Sequence, residues 1–295
     1  MREDAEPREK PLESSNMQSK VVRFLSKSNR GKYAALARLV MRTFRLPAMP
    51  VRLSYGAWWL AGPGSLDERL LDGDFETAEL KSVERYLRPG MVVFDIGAHY
   101  GRYSLLAAKC VGEKGWVRSF EPSPRERKYL KQNLGTVESF ALGSSAERAE
   151  LVLVKGTGDC CHSLRQPSVA VTSRKVPVER QTLDEYLQKQ KVERVAFIKL
   201  DVEGGELGVL RGATRLLQSA ERPIILAEVE DVRTAPWGYQ AEVIIRHLES
   251  LGYRWWGLTD SGSLVPLDTK AESYDGNFVA WPEERLREMG TLADL

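Results

Sequence analysis

Residues 91–107 read MVVFDIGAHYGRYSLLA, and the fold turns on how this stretch is parsed. Met91–Ile96 has the near-continuous apolar character of a strand buried on both faces, broken only by Asp95. Arg102–Cys110 follows as a helix, and Gly97-Ala98-His99-Tyr100-Gly101 has to turn the chain between them. Glycine belongs where backbone turns sharply or where a ligand approaches it closely. Asp95 stands at the carboxyl end of its strand, the edge at which open α/β sheets bind ligands. The unpaired N–H groups of the next helix suit an anion such as a ligand carboxylate.

The spacing of the loop separates two cofactors. Dinucleotide folds use G-x-G-x-x-G, which lets the backbone meet a pyrophosphate. Here the pattern is D-x-G-x-x-x-G, with an acid just before the turn. That acid repels a pyrophosphate and suits a ligand bearing an ammonium group. S-adenosyl-L-methionine has such a group and no phosphate. The next strand, within WVRSFEP, ends at Glu121, 26 residues after Asp95. An acid there can accept hydrogen bonds from both ribose hydroxyls. Turn and helix capping is the competing use of both acids.

Working outward, strands and helices alternate. Phe75–Gly90 reads as a helix stopped by Arg88-Pro89-Gly90, Gly115–Phe120 as a strand, and Ser123–Leu134 as a helix with Pro124 in its first turn. Val137–Leu142, Ala149–Val154 and Ser173–Val178 read as strands. Thr182 and Glu185 form a capping-box pattern at the start of a short helix. Val195–Leu200 is a strand, Glu206–Ser219 a helix, Pro223–Val229 a strand and Gln240–Leu251 a helix. Tyr253–Leu258 and Asn277–Trp281 close the series as strands, before a terminal helix at Pro282–Met289. The expected fold is α/β: a doubly wound, Rossmann-like sheet, mainly parallel, with an antiparallel pair at one edge. The expected division is a tail at 1–19, a basic and mostly helical region at 20–74, and a catalytic domain at 75–295.

FIKLDVEGGEL, Phe197–Leu207, runs from an apolar strand into charge. Lys199, Asp201 and Glu203 alternate, so in an extended chain they share one face. Asp201 is the first candidate for a general base or for orienting an acceptor hydroxyl, and Glu203 the second. Lys199 would hold either acid ionised. The same trio would also serve as an ion-pair network with a cap for the following helix. His162, in GDCCHSLRQ, is a rival base on a loop, whereas His247 lies within a helix and reads as structural. Glu228 and Glu230, after PIILA, sit at another strand end. Asp201, Glu203 and Glu228 would suit Mg²⁺, yet no spacing demands a metal and none is expected.

Taken in order, VVFDIGAHYGRYSLLAA, FEP, Ala141-Leu142-Gly143, TLDEYL, IKLDVEGGELGVLRGA and PIILAEVE resemble the FkbM-type branch of the class I S-adenosylmethionine-dependent methyltransferases. The resemblance covers Phe75–Trp281 and departs modestly, with His99 where asparagine is usual and Gly205 where alanine is common. It implies a cofactor site of Asp95, Gly97, Ala98, His99, Tyr100, Gly101, Glu121, Pro122, Ala141, Leu142 and Asp201. It further implies O-methylation of a hydroxyl on a sugar, glycan or small metabolite.

Composition agrees with a folded enzyme: 42% of the 295 residues are hydrophobic and 28% charged, and no apolar run approaches membrane-spanning length. MREDAEPREKPLESSNMQSK has no apolar core, so no secretory signal is expected there. Cys110, Cys160 and Cys161 suit neither a disulfide framework nor a zinc site, which points to a reducing cytoplasm. From Ser14 to Leu66 there are nine basic residues and no acid; with the whole chain at +2, the remainder is net −7. Tyr33–Leu46 within this arm reads as a basic amphipathic helix, either packed and solvated or resting on anionic lipid at a membrane's inner face. Nucleic-acid methylation is a competing reading that the arm keeps open; against it, no N-P-P-Y or D-P-P-Y occurs and the catalytic domain is not basic. A module that binds the nucleoside without turnover is a third.

Overall fold

A computed structural model describes residues 29–62, 76–154, 162–167 and 173–288. The expected 1–19 tail, and Cys160 and Cys161, lie outside these residues. The chain divides into two compact units, one of residues 1–49 and 61–75, the other of 50–60 and 76–295. The smaller unit carries helix α1 (Asn29–Thr43), on which Tyr33, Leu36, Leu39 and Val40 are exposed. A two-stranded ribbon pairs β1 (Met49–Arg52) with β2 (Trp58–Ala61).

In the larger unit, α2 (Thr77–Tyr86) leads into β3 (Val92–Ile96), and α3 (Arg102–Val111) into β4 (Trp116–Phe120). Then come α4 (Pro124–Leu134), β5 (Val137–Glu138), β6 (Ala141–Leu142), β7 (Glu147–Val154), β8 (Ser173–Gln181) and α5 (Leu183–Gln190). Strand β9 (Phe197–Leu200) precedes α6 (Glu206–Arg211) and α7 (Thr214–Leu217); β10 (Ile224–Glu230) precedes α8 (Asp231–Thr234) and a 3₁₀ turn at Ala235–Trp237. Helix α9 (Glu242–Ser250), β11 (Tyr253–Leu258), β12 (Leu264–Pro266) and β13 (Asp275–Pro282) complete the series. The main sheet has eight strands in the order β12-β11-β13-β10-β9-β3-β4-β5. Strands β10, β9, β3, β4 and β5 pair in parallel, whereas β13 runs antiparallel to both β10 and β11. The sheet is thus mainly parallel, as expected, with β13 reversed near one edge.

The period-2 pattern of the strands explains how both faces are buried. Phe94, Ile96, Ile198, Leu200, Ile225 and Ala227 point into one core with Tyr186, Leu210 and Ile244. Val93, Phe197, Ile224 and Leu226 point the other way, against Leu80, Val83 and Leu106. An apolar helix face covers each side of the sheet. At the start of α5, the Thr182 hydroxyl accepts from Glu185 N–H at 3.2 Å and the Glu185 carboxylate accepts from Thr182 N–H at 3.2 Å, the capping box expected from sequence.

Two elements differ from expectation. Val137–Leu142 splits: Glu138 stays with β4, while Ala141-Leu142 pairs with Arg180-Gln181 in a separate sheet ordered β6-β8-β7. Phe140, between the halves, packs its ring against Phe120 and Tyr186, which turns the chain inward. The helix expected over Glu206–Ser219 breaks at Gly212-Ala213. A Cβ at Gly212 would sit 2.1 Å from the Gly143 carbonyl oxygen, and Gly212 also gives its own carbonyl to Asp184 N–H. The break seats β6 and α5 against the main body.

Candidate active site

Neighbouring strands β3 and β4 bring Asp95 and Glu121 to the same edge of the sheet, both buried. Ser104, on the first turn of α3, donates its hydroxyl to Asp95 Oδ2 at 2.5 Å and lies 2.7 Å from the Ser119 hydroxyl. Burial pushes the Asp95 carboxyl up to about 6, against the opposing pull of the Ser104 hydrogen bond and the Lys199 charge. Glu121 accepts from two backbone N–H groups, His99 at 2.8 Å through Oε2 and Ser123 at 2.7 Å through Oε1. Burial still lifts it to about 8. Each of its oxygens keeps a second lone pair, so the capping role and a ligand hydroxyl are compatible.

The glycine loop is held by the chain itself. Gly97 has φ +86°, and a Cβ there would stand 1.6 Å from the Asp201 carbonyl oxygen. Gly101 has φ +89°, with a Cβ placed 2.4 Å from Leu130 Cδ1. Both glycines are therefore required by backbone and side-chain packing, whatever ligand the loop also meets. His99 also adopts a left-handed conformation, φ +50°, which asparagine and histidine tolerate better than most residues. That is why histidine is tolerated at this position of the loop. Its ring packs edge-on against Tyr100, 4.1 Å between centroids, and burial lowers its pKa to about 4. Its Nε2 is buried without a hydrogen-bond partner. The Tyr100 hydroxyl donates to Glu126 at 3.2 Å and the Tyr100 carbonyl accepts from Trp59 Nε1 at 3.0 Å, so its side chain braces the loop.

Beside the loop lies the carboxylate turn. Lys199 is 2% exposed and donates to Asn277 Oδ1 at 2.8 Å and to Asp201 Oδ2 at 3.2 Å. Burial disfavours its charge, but Asp201, Glu76 and Glu228 outweigh that and raise its pKa, so it stays an ammonium. The extended alternation expected for Lys199, Asp201 and Glu203 stops at Leu200, because Glu203 turns left-handed at φ +58°. Buried Glu206 drives this turn by accepting from Val202 N–H at 2.8 Å and Gly204 N–H at 3.3 Å. Burial lifts the Glu206 carboxyl to about 7. A Cβ at Gly204, φ +93°, would meet the Arg233 carbonyl oxygen at 2.0 Å. Gly205 is unstrained, but a Cβ would touch Trp237 Cζ2 at 3.0 Å. Trp237 Nε1 and the Ser163 hydroxyl both donate to the Glu203 carbonyl, at 3.2 and 2.8 Å, and the Tyr239 hydroxyl donates to Gly204 at 2.6 Å. Arg233 Nε stands 3.1 Å from both Glu203 and Glu230.

The turn thus gathers what the sequence spread out: single carboxylate oxygens of Asp201, Glu203 and Glu228 all lie within 4.8 Å of one another. Glu228 is pushed well above the usual carboxylate range by burial and by Asp201 and Glu203 beside it.

His162 does not join them as a free base. Its Nδ1 accepts from Val154 N–H at 3.2 Å and its Nε2 is 3.3 Å from Glu126. Both ring nitrogens are engaged with the protein itself, through Val154 and Glu126. Burial alone would raise Glu126; His162, Ser123 and Arg125 instead hold it well below the usual range. Pro122 lies between Glu121 and Ser123, and its carbonyl accepts from Arg127 at 2.8 Å. Ala141 and Leu142 are buried in β6, on the far side of β5 from the loop in chain order. Ser104, Glu126, Arg233, Trp237 and Asn277 escaped the sequence reading because each acts through a partner 9 to 78 residues away or on another element. A groove of about 300 Å³ near the turn is lined by Arg165, Gln166, Lys175, Arg180 and Trp237.

A family model described as Methyltransferase FkbM domain matches residues 95–255. The chain belongs to the FkbM methyltransferase family. This FkbM enzyme is 27% identical over 144 residues to the Hexuronic acid methyltransferase AglP of Haloferax volcanii, a match spanning 45% of the chain and 54% of that relative. The chain thus spans about half the length of the curated relative it matches. Among solved structures it is similar to an FkbM methyltransferase from Methylobacillus flagellatus, at 17% identity and TM-score 0.42, covering 65% of this chain and 44% of that one. A SAM-dependent O-methyltransferase from Thermotoga maritima is similar at 12% identity and TM-score 0.38, covering 82% and 80%.

Proposed function

We propose that this FkbM methyltransferase moves a methyl group from S-adenosyl-L-methionine to a hydroxyl of a sugar or glycan, with Asp201 taking the hydroxyl proton. The observation that carries this reading is the contact between the glycine loop and the Asp201 turn, through Gly97. It brings the backbone of Asp201, the residue that would accept a proton, against the loop that would hold the cofactor. The buried polar lining of the loop fits a nucleoside with an ammonium group: Asp95 and Glu121 at adjacent strand ends, and His99 Nε2 without a partner.

S-adenosylmethionine supplies a methyl group on a sulfonium, already activated for displacement. Asp95 would attract the ammonium group and Glu121 would accept from ribose hydroxyls with its remaining lone pairs. Lys199, fixed by Asn277, orients Asp201, whose side chain is 27% exposed and so reachable by an acceptor. Asp201 would align the attacking oxygen and take its proton as the O–CH₃ bond forms and the S–CH₃ bond breaks, with the electron pair of the broken bond left on sulfur. Alignment can contribute roughly 7–11 kcal/mol, and a positioned base about 10²–10⁴-fold. A sugar acceptor is supported by the likeness to the hexuronic acid enzyme and by the neighbouring polar groove, whose lining mixes Trp237 and Gln166 with Arg165 and with the ion pairs of Lys175 with Glu150 and Arg180 with Glu147.

The test is transfer of radiolabelled methyl from S-adenosylmethionine to a panel of uronic acids, neutral sugars and lipid-linked glycans, with RNA as a separate arm. Label in a sugar, lost in Asp201→Ala, is the expected result; label in RNA alone would overturn it.

A further inference from the structure

We propose that Asp201, Glu203 and Glu228 form a binding site for a hard divalent cation, Mg²⁺ or Mn²⁺. Three facts meet here. One oxygen from each carboxylate lies within 4.8 Å of the others. In an octahedral Mg²⁺ site with oxygens at about 2.1 Å, neighbouring ligand atoms are about 3.0 Å apart and opposite ones about 4.2 Å. The three side chains would draw in around the ion as it binds.

The second fact is Glu228. It sits within β10, is 9% exposed, and its Oε2 is buried with no hydrogen-bond partner. A buried carboxylate oxygen left without a donor is costly, and this one faces two further carboxylates. The third is the charge around it. Asp201, Glu203 and Glu206, on the turn after β9, and Glu230, two residues further along β10, all lie close to Glu228. Lys199 pairs with Asp201, and Arg233 spans Glu203 and Glu230. Among the described residues no ion pair joins either cation to Glu228, although the Lys199 charge acts on it from a distance, and Glu206 is occupied with backbone N–H groups. A cation supplies the missing opposite charge and gives Glu228 Oε2 its partner.

All three ligands are oxygens and none is sulfur or imidazole, which selects a hard ion over zinc or copper. Mg²⁺ and Mn²⁺ keep open coordination positions filled by water or by ligand oxygens. Because Asp201 adjoins the glycine loop, those positions would face an acceptor's neighbouring hydroxyls and lower the pKa of the one to be methylated. That role in transfer rests on the function proposed above; the ion site itself does not.

The test is titration of the chelator-treated full chain with MnCl₂, without cofactor or acceptor, followed by electron paramagnetic resonance and calorimetry, with MgCl₂ as competitor. The expected result is one saturable Mn²⁺ per chain, displaced by Mg²⁺. Glu228→Gln and Glu203→Gln should each weaken it at least tenfold, while Glu150→Gln, in an exposed ion pair with Lys175, leaves it unchanged. Circular dichroism checks that the variants fold. No saturable binding by the wild-type chain, or equal binding by Glu228→Gln, would overturn the site; in that case a proton occupies Glu228. Saturable binding without methyl transfer to any hydroxyl acceptor would leave the site standing and reject the proposed function.

Discussion

The Cα of Gly97 lies so close to Asp201 that a β-carbon there would sit 1.6 Å from the Asp201 carbonyl oxygen. Two loops separated by about a hundred residues are thus in backbone contact. Gly97→Ala should push them apart and also strain a residue at φ +86°. The strain alone is worth about 1 kcal/mol or more; the clash adds to it. A fall in unfolding free energy together with a loss of transfer is expected, read by denaturant titration and by the methyl-transfer assay. An alanine variant as stable and active as wild type would show that the loops are not in contact.

Asp95 and Asp201 should fail differently. Asp95→Ala removes the buried acid of the glycine loop and is expected to abolish S-adenosylmethionine binding in calorimetry. Asp201→Asn keeps the fold and the cofactor but slows transfer by about 10²–10⁴-fold. Unchanged turnover in Asp201→Asn would remove it as the base.

His162 is tied to Glu126, whose side chain is fully buried. His162→Ala should therefore lower the melting temperature, since it strips a partner from a buried carboxylate, while the remaining folded enzyme transfers methyl groups within a few-fold of wild type. A loss of turnover at unchanged stability would restore His162 as the base.

Stability should decline as pH rises from about 6.5 to about 8.5. Glu121 and Glu206 have pKa values raised to about 8 and about 7. A carboxyl with a raised folded-state pKa binds protons more tightly in the folded chain, so its contribution is full below the unfolded value and lost as pH rises through the folded one. Below about 6.5, His99, lowered to about 4, acts in the opposite sense: its neutral buried form costs stability as the unfolded chain gains its proton. Melting temperature against pH for wild type and Glu121→Gln checks this; the variant's curve should be flatter above pH 6.5. A wild-type curve that rises across that window would refute the assignment.

Gly205 and Trp237 should be coupled. Gly205→Ala meets the Trp237 ring at 3.0 Å without backbone strain, so it is expected to destabilise by about 1 kcal/mol. In a Trp237→Ala background that cost should vanish, and a double-mutant cycle in denaturant measures the difference. Additive effects would mean the ring does not bear on Gly205.

Much of the molecule follows from local pattern. Period-2 and period-3.6 apolar spacing set which residues face the sheet's two cores, and Asp95, Glu121 and Asp201 stand at strand ends because each strand stops where its apolar run stops. The capping box at Thr182 and the proline start of α4 were equally legible, since capping joins residues three or four apart. Tertiary structure alone decided how the site is closed. Which lone pairs of Glu121 are taken, that His162 is bound to Glu126, that Arg233 and Trp237 clamp the Glu203 turn, and that Glu228 meets Asp201 and Glu203 all depend on contacts between separate elements. Spacing along a chain encodes its own periodicity; the approach of a carboxylate on β10 to two on the turn after β9 is set only once the sheet orders those strands side by side.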